Sequence, residues 1–270
     1  MPPIVDTFER ITSSVSFRFN RWRFGPKVSV IAHPGLTRLG TPYGGWTFVD
    51  VPQLAGCDAI SCGLGEDASF DLEFAAKYGA RVVIVDPTPR AIRHYREIEA
   101  RIGLPRERPY VHGGREPADA YDLARLNKTQ LRLVDKALTD TPGPVRFYAP
   151  KNPSHVSHSV TNYQNDHSTS TPYIEVEAVT IATLLESVDT NRLQLVKLDI
   201  EGAEITVIPQ LLAQPVRPPQ ICVEFDELTV PSDRSRASFY QCHEQLLNAG
   251  YLVAYFDGGA NFLYVQASLF

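Results

Sequence analysis

The chain has 270 residues and a formal net charge of −5, with 43% hydrophobic and 21% charged residues. These values suit a single soluble α/β domain that can bury a sizeable core. Duplex-binding proteins are more often basic, so no nucleic-acid partner is expected.

The four cysteines, Cys57, Cys62, Cys222 and Cys242, form no C-x-x-C pair. Their spacing matches neither a zinc site nor a disulfide framework, so no metal is expected and a reducing, cytoplasmic setting is. The N-terminal stretch lacks the apolar core of a signal peptide. No run of about 18 apolar residues occurs, so no membrane insertion is expected.

Residues 1–50 are aromatic-rich and turn-like, with RWRFGP and GTPYGGW segments. They are expected to form an N-terminal cap or lid on a main domain spanning 51–270. DAISCGLG then reads as a short strand ending in glycines. In SFDLEFAAKYG, Phe70, Phe74 and Tyr78 repeat at i, i+4 and i+8, which places three rings on one helical face, with Gly79 as the stop. RVVIVD is a strand buried on both faces. Thr88 and Pro89 then start a helix with Ile92, Tyr95, Ile98 and Ile102 on its apolar stripe. This β-α-β-α order predicts a parallel sheet.

QLRLVDKAL (130–138) reads as a third strand and VRFYAP as a further strand or edge piece. Residues 150–172 read as a long loop, of the kind that is usually functional or disordered. YIEVEAV alternates like an edge strand and TIATLLESV is a short helix. LQLVKLDI and QICVEF are buried strands, each followed by a helix. YLVAYFDGGANFLYV predicts a terminal hairpin.

Two constellations carry chemistry. The first is the turn Gly63-Leu64-Gly65-Glu66-Asp67-Ala68 between a strand and a helix, which fits the relaxed dinucleotide pattern G-x-G-x-x-A. Asp86 follows the next strand, where such folds place a carboxylate for ribose hydroxyls. The pair points to an adenosine-containing cofactor. Glu66 and Asp67 at the helix start would repel a pyrophosphate, which favours the sulfonium donor S-adenosylmethionine over NAD.

The second is VKLDIEGAE, which gathers Lys197, Asp199, Glu201 and Glu204 at the carboxyl end of a buried strand. Ligands of open α/β sheets bind at that end, and buried charges there need a reason. Asp199 is placed to act as a base or to orient a hydroxyl, with Lys197 tuning the local charge. His155 and His158, in the loop NPSHVSHSV, are the other candidate bases. Tyr43-Gly44-Gly45-Trp46 forms a second glycine turn that is able to fold over a bound adenosine or methionine moiety. The expected cofactor-binding set is Tyr43, Gly44, Cys62, Gly63, Gly65, Asp67, Ser69, Asp86, Pro87, Lys136, Asp199 and Glu201.

At these residues the sequence resembles the FkbM-type methyltransferases. The most specific segment is VKLDIEGAEITVI, and SCGLGEDASFD with VDPTPRAI is similar to a subgroup's cofactor segment. The likeness implies a Rossmann-like class I methyltransferase fold, with a mostly parallel seven-stranded sheet and an antiparallel last strand. It also implies S-adenosylmethionine-dependent methylation, most often of a hydroxyl oxygen on a small molecule or glycan. The alternatives are an NAD(P)-binding oxidoreductase and a non-catalytic member of the fold. The sequence departs from many members at Ser61, where they carry aspartate, and at Asp86, where they carry glutamate. It does not reveal the oligomeric state.

Overall fold

The computed structural model describes residues 25–149, 158–160, 171–229 and 232–270. In chain order the elements are β1 (Leu36–Leu39), β2 (Trp46–Val49), β3 (Asp58–Cys62), α1 (Ser69–Tyr78), β4 (Arg81–Val85), α2 (Pro89–Glu99) and β5 (Leu131–Val134). Then come β6 (Ala137–Leu138), β7 (Gly143–Tyr148), β8 (Tyr173–Val179), α3 (Ile181–Leu185), β9 (Leu193–Leu198) and α4 (Glu204–Leu212). The chain closes with β10 (Gln220–Glu224), α5 (Asp233–Asn248), β11 (Tyr251–Phe256) and β12 (Asn261–Gln266).

The main sheet has seven strands in the order β11-β12-β10-β9-β3-β4-β5. Its strands pair in parallel from β5 to β10. β12 lies antiparallel between β10 and β11. This mostly parallel α/β sheet fits a Rossmann-like methyltransferase fold. The chain runs outward from β3 in one direction and from β9 in the other, so the topological switch lies between these two strands. Open sheets of this kind bind ligands beyond the strand ends at that switch.

Each face of the sheet carries its own core. One core joins α1, α2 and β2 to the sheet through Phe48, Phe70, Phe74, Ile84 and Tyr95. The other packs α3, α4 and α5 through Ile60, Val196, Ile208, Val223 and Phe239. The aromatic stripe on α1 has a definite target. Phe48 of β2 meets Phe70, Phe74 and Tyr78 edge-on, at centroid distances of 6.1, 5.4 and 5.9 Å. Edge-to-face pairs at such distances add to plain burial. Gly79 ends α1 in the left-handed region, and the Thr88 side chain caps α2.

Three expectations change. Residues 36–49, read as turns joined by short pieces of structure, form the antiparallel hairpin β1–β2. Four-residue strands are too short to show periodicity. The strand expected over 130–138 splits, because Asp135 and Lys136 leave the main sheet and β6 joins a separate three-stranded sheet ordered β6-β8-β7. β8, read as an edge strand from its alternation, is the middle strand of that sheet, with one face exposed. Most of the predicted 150–172 loop lies outside the described residues.

Candidate functional site

A cavity of about 390 Å³ opens at the carboxyl ends of β3, β4, β9 and β10. Its floor is the glycine turn after β3. Gly63 sits at φ +87°, and a Cβ there would stand 2.0 Å from the carbonyl oxygen of Asp199. The turn after β3 therefore touches the turn after β9 backbone to backbone, an approach open only to glycine.

Asp86 holds this turn in shape. Its Oδ2 accepts the N–H groups of Leu64 and Gly65, both at 3.0 Å. Its Oδ1 accepts the Thr88 N–H at 2.8 Å and the Thr88 hydroxyl at 2.7 Å. A carboxylate offers about four lone-pair positions, and all are taken. Asp86 borders the cavity, and in this arrangement its four bonds run to the glycine turn and to Thr88.

Four further N–H groups around the turn are also engaged. Gly63 donates to the Val85 carbonyl at 2.9 Å and Asp67 to the Leu64 carbonyl at 3.4 Å. Ala68 donates to the Tyr121 hydroxyl and Ser69 to Asp67 Oδ1, each at 3.0 Å. The acidic pair Glu66 and Asp67 is likewise committed. Glu66 pairs with Arg90 and, at 3.2 Å, with Arg115. Asp67 accepts the Thr41 hydroxyl at 2.6 Å.

Thr41 ties the hairpin to the site. Its N–H donates to Ser69 Oγ at 2.8 Å, and its hydroxyl accepts the Gly44 N–H at 2.9 Å. A Cβ on Gly44 would stand 2.5 Å from the Asp67 carboxyl carbon. Tyr43 and Gly44 thus form a cavity wall fixed to the glycine turn, with the Tyr43 ring exposed at the mouth. Ser69 is buried behind that wall as its anchor, and the Cys62 side chain is buried in the core. Neither side chain lines the cavity. Burial pushes the Cys62 thiol up, which suits a filler and not a nucleophile.

The second constellation forms the opposite wall. Lys197 is buried, donates to the Cys62 carbonyl at 3.3 Å and to the Gly63 carbonyl, and lies 5.3 Å from the centre of the Trp46 ring. Its Nζ stands 3.6 Å from Asp199 Oδ2. Burial alone would lower its basicity, but Asp199, Asp71 and Glu224 outweigh burial and hold it up as an ammonium. Burial raises the Asp199 carboxyl, against the pull of Lys197.

Beyond Asp199 the chain turns sharply. Glu201 takes φ +55°, an uncommon conformation for a residue with a side chain. Glu204 enforces it: its carboxyl accepts the Ile200 N–H at 2.7 Å and the Gly202 N–H at 2.8 Å. Lys197, Asp199 and Glu201 all face the cavity.

His158 also lines the cavity, stacked on Phe147 with centroids 6.2 Å apart. Next to it, the Ser159 hydroxyl donates to the Glu201 carbonyl at 2.5 Å. Pro87 and Lys136 border the opening. His155 lies outside the described residues. Sequence reasoning missed Glu224, which ends β10 inside the cavity, and Asp257 and Asn261 on the terminal hairpin. The signal for Glu224 was present: a lone acid closes the run QICVE, as Asp199 closes QLVKLD.

Among the described residues there is no cluster of three or more potential metal ligands. No helix among them is long and apolar enough to cross a membrane. Comparison with curated proteins and with solved structures returned no match. The profile of the methyltransferase FkbM domain matches residues 57–253, which runs from β3 into β11 and includes the glycine turn and the Lys197–Glu201 wall of the cavity, while Tyr43 and Gly44 lie before it. The chain belongs to the FkbM-domain methyltransferase family.

Proposed function

We propose that this protein transfers a methyl group from S-adenosylmethionine to a hydroxyl oxygen of a small molecule or sugar. One observation carries the choice of cofactor. Six backbone donors around the turn that would cradle a pyrophosphate, those of Gly63, Leu64, Gly65, Asp67, Ala68 and Ser69, are already engaged by Asp86, Tyr121, Asp67 and backbone carbonyls. A dinucleotide needs such donors free at the turn, whereas S-adenosylmethionine has no phosphate.

The cavity volume falls in the range of small-molecule pockets, about 300–1,000 Å³. Carboxyls of Asp199 and Glu201 line it, which suits a cationic ligand. When bound, the donor supplies an electrophilic methyl on a positively charged sulfur. The turn at Gly63 and Gly65, with Pro87, Lys136, Tyr43 and Gly44, forms the surface that would hold it. Asp199 is placed to take the proton of an acceptor hydroxyl, and His158 is the second group facing the same space. The rest of the catalytic power comes from holding the partners in line. Residues 36–49 serve as a fixed wall of the site.

Calorimetric titration tests the assignment. S-adenosylhomocysteine should bind the purified protein, and NADH should not. Binding of NADH alone would overturn it.

A further inference from the structure

One carboxyl in the cavity is explained neither by the glycine turn nor by Lys197. β10 ends at Glu224, and the parallel register places Val223 opposite Leu198. The next residues along these neighbouring chains are Glu224 and Asp199, one step past that pair on backbones about 4.8 Å apart, which turns both toward the same side. Both line the cavity. The Glu224 carboxyl makes no hydrogen bond or ion pair among the described residues. Lys197 approaches Asp199 to 3.6 Å and otherwise donates to the Cys62 and Gly63 carbonyls. Two neighbouring carboxyls with one cation, itself committed to one of them, do not both ionise readily.

We propose that Asp199 and Glu224 form a proton-sharing pair. Glu224 carries the proton and donates a hydrogen bond to the acceptor hydroxyl, and Asp199 is the carboxylate that takes that hydroxyl's proton. This rests on the methyl transfer proposed above. A hydroxyl both accepts and donates, so it fits between a carboxylic acid and a carboxylate. In the transfer the hydroxyl proton goes to Asp199, the methyl to oxygen and the breaking C–S pair to sulfur. A carboxylate and a sulfonium thus become a carboxylic acid and a thioether.

The surroundings favour a proton on Glu224. Its carboxyl is pushed up to about 9 by burial first, then by Asp199, Glu201 and Asp226, against the pull of Lys197. Asp257 of the terminal hairpin and Tyr43 of the turn after β1 line the same cavity and add no cation, while Arg38, Lys136 and His158 line it too; the cation that acts on Glu224 is Lys197.

Infrared titration of the protein without ligand tests the pair and needs no acceptor. The wild-type minus Glu224→Gln difference spectrum should contain a carboxylic acid C=O band at neutral pH that disappears with a midpoint near pH 9. Asp199→Asn removes the neighbouring negative charge and should lower that midpoint by roughly one pH unit or more. Glutamine mimics the protonated acid, so the variant should fold, and circular dichroism checks this. A difference spectrum without an acid band at neutral pH, or a midpoint unmoved in Asp199→Asn, overturns the proposal. Titration of wild-type protein with S-adenosylhomocysteine reports separately on methyl transfer: no binding sinks that function, while the infrared result alone decides the pair.

Discussion

Gly63→Ala tests the contact on which the cavity is built. The added Cβ would stand 2.0 Å from the Asp199 carbonyl oxygen, at a residue with φ +87°. Gly79, at φ +62°, is the control, because a Cβ there meets nothing within 4 Å. Both substitutions carry a left-handed backbone cost of about 1–2 kcal/mol. Only at position 63 must a backbone carbonyl also move. That movement disturbs the Asp199 N–H bond to the Cys62 carbonyl, 3.2 Å long, and the Lys197 bond to the Gly63 carbonyl. At about 1 kcal/mol for the neutral bond and about 1.5–3 kcal/mol for a charged one, the extra cost is roughly 2.5–4 kcal/mol. At about 2–4 °C per kcal/mol for a chain of this size, Gly63→Ala should melt roughly 5–16 °C below Gly79→Ala. Thermal unfolding of the two variants side by side, followed by circular dichroism, measures this. Equal melting temperatures would refute the claim that the two turns are locked by contact.

Other outcomes follow from the same geometry. Asp86→Asn leaves an amide NH₂ facing backbone N–H groups or Thr88, so it should cost about 2–3 kcal/mol in urea unfolding and weaken S-adenosylhomocysteine binding; unchanged stability would mean that the turn is held by something else. Glu227 is fully buried, its carboxyl oxygens have no hydrogen-bond partner among the described residues, and burial raises it to about 7. Its folded value lies above its unfolded one, so its contribution is full in acid and is lost as pH rises through about 7, a change on the order of 3 kcal/mol. Glu227→Gln should therefore outlast the wild type in thermal melts at pH 8 and lose that advantage near pH 5. Phe48→Ala removes the ring that α1 packs on and should destabilise by about 3–5 kcal/mol in denaturant titration; a loss under about 1 kcal/mol would show that the hairpin is loosely docked.

The sequence exposed the central sheet because its strands are apolar on both faces, as RVVIV and LQLV show. The helix Ser69–Tyr78 was equally clear, from three rings at helical spacing. The hairpin at 36–49 was hidden because two four-residue strands cannot display a period, and its partners Thr41, Asp67 and Ser69 are far apart in sequence. Spacing placed Asp86 at the cavity, but a count of lone pairs needs coordinates. The same is true of Glu66: its charge is plain in the sequence, while the neutralising Arg90 and Arg115 are known only from the fold. Glu224 becomes meaningful once the register sets it beside Asp199.

The position of β12 bears on where this domain can be cut. The segment that carries the family likeness stops at Val253, inside β11. The strand that separates β11 from β10 comes later in the chain, at Asn261–Gln266, and supplies five residue pairs to β10. A protein trimmed to the matched segment would leave β10 with an unpaired flank and β11 with no neighbour in the sheet. Such a bare, apolar edge invites pairing between molecules. The matched stretch is thus shorter than the sheet, which takes thirteen residues beyond that boundary, 254–266, to cover the flank of β10.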